Sequence, residues 1–200
     1  MIKRELYMNR IRPFIGGELI KVMTGIRRSG KSVMLELIKE ELAEAGVAPS
    51  QMISINFEDM RYSHLQTATA LHDEIIKRAE GIEGKAYLFF DEIQEVEGWE
   101  KCVNSLRVAL DCDIYITGSN AKLLSGELAT YIGGRYVEFV IYPFSFAEFL
   151  ELYHTIRSSN AFKNICWPEE CPIWPTSGMR KNPPGSISQI YSILCSSKIS

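Results

Sequence analysis

Residues 25–32 read Gly-Ile-Arg-Arg-Ser-Gly-Lys-Ser, which is the pattern Gly-x-x-x-x-Gly-Lys-Ser, and the predicted fold follows from this motif and its surroundings. A mostly apolar run at residues 19–24 precedes it, and a helical pattern at residues 33–38 follows it. Gly25 and Gly30 can adopt backbone angles that turn successive N–H groups inward, so the stretch can form an anion-binding nest at a helix N-terminus. The sequence therefore predicts a strand, a phosphate-binding loop and a helix in that order.

The phosphate loop, residues 25–32, offers a nucleotide both a cradle and a charge. Lys31 would supply a mobile positive charge to the β- and γ-phosphates, and the Ser32 hydroxyl would ligate the accompanying Mg2+. Arg27 and Arg28 either touch the phosphates or face solvent. A chance match in a chain of this length has a probability of about one per cent, which favours nucleotide binding over an ordinary glycine turn. The candidate binding residues are Gly25, Ile26, Arg27, Arg28, Ser29, Gly30, Lys31, Ser32 and Val33.

The composition excludes several classes of protein. The chain has 200 residues, 46% of them hydrophobic, and a net charge of −3, which suits one α/β core and gives no basic field for nucleic acid. Residues 1–6 lack the apolar core of a signal peptide, and no stretch has the roughly 18 apolar residues of a membrane span. These features favour a cytoplasmic protein without a membrane contact. The five cysteines are an odd number, so reduced thiols are expected.

Strand and helix patterns alternate along the first three quarters of the chain. Predicted strands lie at residues 19–24, 52–57, 86–90, 113–117 and 136–141. Besides the helix that follows the loop, predicted helices lie at residues 4–12, 69–80, 99–110 and 122–131. The alternation predicts an α/β fold of three layers, with a parallel sheet of about five strands and helices on both faces.

Two adjacent carboxylates follow the most apolar of these strands. Residues 87–90 run directly into Asp91 and Glu92, at the carboxyl end where parallel sheets collect their ligands. Asp91 would hold Mg2+, while Glu92 would orient and deprotonate the water that attacks the γ-phosphate. The alternative is a solvated acidic turn. The phosphate loop about sixty residues earlier favours the catalytic interpretation.

Two further candidate positions are less specific. The apolar strand at residues 114–116 ends in Thr117, Ser119 and Asn120, one of which could hydrogen-bond the γ-phosphate or the attacking water. Ordinary turn chemistry explains these residues equally well. Arg135 follows two glycines and could stabilise charge on the transferred phosphoryl group, for the nucleotide of a neighbouring subunit. The alternative is a solvated or ion-paired arginine.

The order of these motifs resembles the AAA+ ATPases, and more closely the prokaryotic AAA-domain proteins that carry a C-terminal domain of unknown function. The likeness extends over residues 1 to about 152, and the Pro-Phe-Ser-Phe-x-Glu-Phe stretch is its most family-specific part. The stretches that carry it are Ile2-Lys3-Arg4-Glu5, residues 24–32, Asn56-Phe57-Glu58-Asp59, Phe90-Asp91-Glu92-Ile93-Gln94, Thr117-Gly118-Ser119, Gly134-Arg135-Tyr136 and Tyr142-Pro143-Phe144-Ser145-Phe146-Ala147-Glu148-Phe149.

The resemblance implies a P-loop NTPase fold with the strand order 5-1-4-3-2 and ATP, with Mg2+, as the nucleotide. It implies that Asp91 and Glu92 match the magnesium-binding and catalytic acids of the family. Ser119 or Asn120 would be its sensor residue, and Arg135 its candidate arginine finger. The implied catalytic residues are thus Lys31, Glu92, Ser119, Asn120 and Arg135, with Ser32 and Asp91 as metal ligands.

The last part of the chain departs from the family pattern. Five of the eight prolines, two of the three tryptophans and three of the five cysteines fall between Cys166 and Cys195. We therefore expect an AAA+ type domain at residues 1–152, and an atypical tail at residues 153–200 that is poorly ordered or arises from a translational frameshift. The chain would in that case be C-terminally truncated relative to the family.

Three functions remain open from the sequence. The first is binding and hydrolysis of Mg-ATP, coupled to a partner protein, a C-terminal domain or further copies of the chain. The second is an ATP-binding module without productive turnover, which the atypical tail favours. The third is a small-molecule kinase, against which the Asp91-Glu92 pair argues because it suits water activation.

Overall fold

The computed structural model describes residues 3–119, 132–145 and 148, and all structural statements concern these residues. The predicted helix at residues 122–131, the candidate Asn120 and the tail at residues 153–200 lie outside the described residues. The side chain of Ser119 is likewise not described, although its backbone is.

A parallel sheet forms the middle layer of the domain. Its five strands lie in the order β2-β3-β4-β1-β5, which confirms the order that the family resemblance implies. All four strand pairings are parallel, as helical crossovers between consecutive strands require. The strands are β1 (Ile20–Gly25), β2 (Met52–Asn56), β3 (Ala86–Asp91), β4 (Cys112–Ser119) and β5 (Tyr136–Val140).

Helices cover both faces of this sheet. Those described are α1 (Glu5–Ile11), α2 (Lys31–Glu44), α3 (Ala68–Ala79) and α4 (Trp99–Ala109). Short 3-10 turns lie at Arg12–Phe14, Pro49–Gln51, Met60–Leu65 and Ile93–Glu95. Within the part of the chain that the structure describes, no helix is both long and apolar enough to cross a bilayer.

Two separate apolar clusters confirm the three predicted layers. On β3, Leu88 and Phe90 belong to the cluster that α3 and α4 cover, whereas Phe89 belongs to the cluster beneath α1 and α2. Successive side chains of a strand point to opposite faces, so a strand that is buried on both faces reads as one continuous apolar run. This is why residues 86–90 contain no charged side chain.

The strand register brings the ends of β1, β3 and β4 together. Gly25 lies beside Ser119, and Phe90 lies beside Ile116, so the carboxyl ends of the three strands share one edge of the sheet. We call this the carboxyl edge. The chain leaves β1 there through the phosphate loop and enters α2 at Lys31.

At the opposite edge of the sheet, where the strands begin, Lys21 and Asp113 form a buried ion pair and Tyr115 bonds to Asp113. We call these three residues the amino-edge cluster. The Lys21 ammonium lies 2.5 Å from Asp113 Oδ1, and the Tyr115 hydroxyl donates to Asp113 Oδ2 at 2.7 Å. Asp113 Oδ2 also accepts the Gly16 N–H at 2.7 Å, and Lys21 donates to the Gly17 carbonyl at 2.9 Å. The cluster therefore fixes the turn that leads into β1.

Candidate functional site

The phosphate loop has a backbone that only glycine permits at its first position. A Cβ on Gly25 would collide with the carbonyl oxygen of Ile141 and lie 2.7 Å from Ser29 Oγ. Gly30 has φ +95° and forms the N-cap of α2, and Arg28 also has a positive φ, of 64°. A non-glycine residue in this region carries strain, which is common at ligand sites. The loop therefore has the tight, strained shape of an anion cradle.

Lys31 lies over this loop without a tight partner. Its side chain is 4% exposed, and its ammonium lies 3.4 Å from Glu92 Oε1, 3.4 Å from the Ile26 carbonyl and 3.5 Å from the Gly25 carbonyl. Strong charge-assisted hydrogen bonds are shorter, at about 2.7–2.9 Å. The ammonium is thus buried beside the cradle and is free to form shorter bonds with a ligand oxygen.

Thr117 connects the ends of β3 and β4. Its hydroxyl donates to Asp91 Oδ1 at 2.5 Å and accepts the Glu92 N–H at 3.0 Å. Thr117 is fully buried and Asp91 is 6% exposed, so this contact holds the carboxylate in one orientation. The structure thus brings the side chain of Thr117, one of the three polar residues that the sequence offers at this strand end, to the acidic pair, while the side chains of Ser119 and Asn120 lie outside the described residues.

Glu92 differs from Asp91 in both backbone and surroundings. It has φ 54° and ψ 48°, a left-handed conformation that costs a non-glycine residue about 1–3 kcal/mol. Its side chain is 17% exposed, and Oε2 accepts a hydrogen bond of 2.6 Å from Gln94. Gln94 is a contact that the sequence reasoning missed, although it stands in the same Asp-Glu-Ile-Gln stretch. The turn after β3 thus aims the two adjacent carboxylates at different partners.

The remaining loop residues divide into exposed and buried ones. Ile26 is 64% exposed, and the Arg27 side chain is 87% exposed, with a long 3.9 Å contact to Glu58. Arg28 and Ser32 are also exposed. Ser29 is fully buried, and its hydroxyl has no hydrogen-bond partner among the described residues. The two arginines therefore stand at the mouth of the loop, in solvent.

Arg135 lies far from the loop of its own chain. Its carbonyl accepts the N–H of Ile20, the first residue of β1, and its exposed guanidinium donates to Asn104 at 3.3 Å. β1 has six residues, Ile20–Gly25, which span about 17 Å. The strand therefore separates Arg135 from the phosphate loop of the same chain, and a role at a neighbouring subunit's nucleotide stays a prediction.

The residues at the carboxyl edge fit Mg2+. A hydroxyl on Ser32 and a carboxylate on Asp91 are hard oxygen donors, and Mg2+ is usually bound by one or two such groups together with phosphate oxygens and waters. The described residues contain no cluster of three or more His, Cys, Asp or Glu side chains that could hold a metal by themselves. A metal at this edge would therefore depend on the phosphates of a nucleotide.

A parallel sheet of this order with such a loop defines a P-loop NTPase, and comparison with known proteins specifies the class further. The family model described as AAA domain matches residues 18–150. The chain belongs to this family and has the AAA+ P-loop NTPase fold.

Relatives from bacteria and archaea share the domain. An uncharacterised protein of Haemophilus influenzae is 48% identical over 150 residues, which cover 75% of this chain and 38% of the relative. An uncharacterised protein of Methanocaldococcus jannaschii is 38% identical over 155 residues, which cover 73% of this chain and 33% of the relative. The matched part of the chain thus spans about a third of the length of these relatives.

One solved structure shows the same fold at low sequence identity. AMPPCP-bound DnaA from Aquifex aeolicus is similar to this chain with a TM-score of 0.52 and 16% identity. The match covers 80% of this chain and 53% of that one. At this identity the similarity concerns the fold alone.

Proposed function

We propose that this chain binds Mg-ATP at the phosphate loop and hydrolyses it. The observation that carries the proposal is the convergence of three elements on one cradle. Lys31 at the start of α2 lies 3.4 Å from Glu92 after β3, and Thr117 of β4 bonds to Asp91 beside it. A purely structural loop has no need of a buried, loosely held lysine next to two carboxylates.

Each group has a distinct task in the proposed reaction. The loop N–H groups and Lys31 bind the phosphates, and Ser32 and Asp91 would hold Mg2+, which would neutralise the charge of the phosphates. Glu92 accepts a proton from the attacking water. Because Glu92 lies beside Lys31, which binds the phosphates, a water held by Glu92 would lie close to the γ-phosphate. Thr117 keeps Asp91 and the Glu92 backbone in place. Ser119 and Asn120 remain candidates for contact with the γ-phosphate.

We further propose that the hydrolysis acts through an assembly. Arg135 lies beside the start of β1 and away from the phosphate loop, so in a finger role it would contact the nucleotide of a second copy of the chain. The greater length of the relatives supports coupling to a further domain or a partner protein. The chain's location in the cytoplasm is part of the same proposal.

The test is steady-state phosphate release by the purified chain. Glu92→Gln keeps the shape of the side chain but removes the base, so release should fall by about 10²–10⁴-fold while ATP still binds. Glu97→Gln, which removes an exposed carboxylate five residues further on, is the matched control and should leave the rate unchanged. Equal rates in the wild type and Glu92→Gln would exclude Glu92-dependent hydrolysis.

A second candidate is a nucleotide-gated binding module that turns over slowly by itself. The observation in its favour is that both oxygens of Glu92 have partners within the chain, Oε1 at 3.4 Å from the Lys31 ammonium and Oε2 with Gln94. A carboxylate held in this way is less available to water. In this case the wild type would bind ATP, yet release phosphate no faster than Glu92→Gln does.

A further inference from the structure

Arg4 is a buried arginine that joins three distant parts of the chain. Only 2% of the residue is exposed. Its Nη1 donates to the Ser29 carbonyl in the phosphate loop at 3.0 Å, and its Nη2 donates to the Tyr142 carbonyl at 2.8 Å. Its Nε donates to Glu148 Oε1 at 2.9 Å. We call this set of contacts the Arg4 clasp.

The buried guanidinium of Arg4 has a counter-ion and two aromatic neighbours in addition to its carbonyl acceptors. Glu148 supplies the opposite charge, and the guanidinium lies over the rings of Tyr7 and Phe144, at 4.5 and 5.0 Å from their centroids. Burial by itself would raise the pKa of Glu148, but the hydrogen bonds from Arg4 and Ser145 outweigh it and lower that pKa. A planar fork of fixed donors suits such a site, whereas a lysine offers a single point charge.

The contact with Ser29 bears on the phosphate cradle directly. In a trans peptide the carbonyl and the following N–H point in opposite directions. When Arg4 holds the Ser29 carbonyl, the Gly30 N–H is therefore turned away from Arg4. Gly30 immediately precedes Lys31, and its N–H is one of the groups that a phosphate-binding nest needs to point at the anion.

We propose that Arg4 is a positioning residue of the phosphate loop, which fixes the Ser29–Gly30 peptide in its anion-binding orientation and uses Glu148 as its counter-ion. The inference rests on the proposed nucleotide binding and deepens it. It also assigns a task to Arg4 and Glu148, which lie in the two family-like stretches, at residues 2–5 and 142–149, that the phosphate chemistry leaves unexplained.

The test compares two arginine-to-lysine changes in the full chain. Arg4→Lys keeps the positive charge but loses the fork that reaches Ser29. Arg12→Lys is the matched control, because the Arg12 guanidinium also makes charge-assisted hydrogen bonds, to the carboxylates of Glu5 and Glu41, but contacts no residue of the loop among those described. One measurement is the Kd for Mg-ATP, and the other is amide hydrogen exchange of residues 25–32 without nucleotide, with α3 as an internal reference.

Arg4→Lys should raise the Kd by about tenfold, the value expected for losing one hydrogen bond to a charged group. It should also speed exchange in residues 25–32 without speeding it in α3, while Arg12→Lys changes neither. A loss of stability alone would instead raise exchange in both regions. Glu148→Gln, which removes the counter-ion and keeps an acceptor, should shift both measurements in the same direction by a smaller factor.

The proposal is overturned if loop exchange in Arg4→Lys equals that in Arg12→Lys, or if exchange rises equally in α3. Where Arg4→Lys does not fold, Glu148→Gln takes its place with the same criteria. Failure of the wild type to bind ATP would refute the proposed function. Loop exchange is measured without nucleotide, so it still decides the role of Arg4 in that case.

Discussion

The two edges of the sheet each place a buried lysine beside carboxylates, but they hold it very differently. At the amino edge, Lys21 lies 2.5 Å from Asp113 and 2.9 Å from the Gly17 carbonyl. At the carboxyl edge, the contacts of Lys31 are all 3.4–3.5 Å long. One lysine has close partners within the protein, whereas the other retains bonding capacity for a ligand.

The difference in contact length between Lys21 and Lys31 distinguishes a structural polar group from a functional one within the same fold. Asp113 receives donors from Lys21, Tyr115 and the Gly16 N–H, so the ion pair is closed within the chain. Glu92, by contrast, stands on a strained backbone near a loosely held ammonium. Networks whose polar groups all have close partners within the protein stabilise a fold. Strained residues and polar groups with long contacts occur at ligand sites. Mutations at the two edges should therefore affect different properties.

The largest expected effect is on stability and comes from Lys21→Met. Removing one partner of a buried ion pair leaves Asp113 without its counter-ion, so the free energy of unfolding should fall by about 3–5 kcal/mol. ATP affinity of the folded protein should stay unchanged. Urea unfolding measures the first quantity, and Lys85→Met, which breaks a more exposed pair with Asp111, is the control. A fall no larger than the roughly 0–1 kcal/mol of a surface pair would contradict the proposed contrast.

Lys31→Met should have the opposite profile. Losing the mobile charge at the cradle should weaken Mg-ATP binding by about a hundredfold. Stability should hold or increase, since the long contacts of Lys31 return little of the cost of burying its charge. Calorimetric titration and urea unfolding measure the two quantities. Lys39→Met, on the same helix and paired with Glu36, should leave affinity unaltered, and an equal loss there would remove the special role of Lys31.

Thr117→Val removes the hydroxyl through which β4 bonds to Asp91 and Glu92. The change keeps the shape but removes the hydroxyl that holds Asp91, so the Mg2+ concentration for half-maximal phosphate release should rise about tenfold. The control is Thr24→Val, which deletes a fully buried hydroxyl that bonds to Glu138 on β5. Both variants should lose about 1–2 kcal/mol of stability. A shifted Mg2+ requirement in both would mean that the effect is structural and not specific to Asp91.

Much of the carboxyl edge could be predicted because its signals are local. The phosphate loop and the Asp91-Glu92 pair each occupy a few consecutive residues, and the adjoining strands are continuous apolar runs. Parallel sheets then bring such strand ends to one edge. The strand order required the family resemblance, because hydrophobic periodicity does not specify which strands are neighbours.

The amino-edge cluster and the Arg4 clasp could not be predicted in this way. Lys21 and Asp113 are 92 positions apart, and Arg4 and Glu148 are 144 apart. Each partner alone is an ordinary charged residue near an element end. Only the pairing of β1 with β4, and the return of the chain beyond β5 to the loop, bring these partners together.

The smallest expected effect concerns the reactivity of the Cys112 thiol, since Cys112 is the first residue of β4 at the amino edge. Burial raises the pKa of Cys112 to about 11, and that of Cys102 on α4 to about 12. Both thiols should therefore remain protonated and resist iodoacetamide at pH 8 in the folded protein, because the thiolate is the reactive form. Peptide mass spectrometry can follow the labelling of each one, with the urea-unfolded chain as the control.

The same pKa shift determines how stability depends on pH. The unfolded Cys112 thiol ionises near its usual pKa of 9.0 and the folded one near 11, so its contribution to stability is complete below pH 9 and is lost as the pH rises to about 11. If Cys112 were alkylated at pH 8 as fast in the folded as in the unfolded chain, while Cys102 stayed protected, the amino edge would open locally. The contrast between tightly bonded polar groups at the amino edge and loosely held ones at the carboxyl edge would then fail.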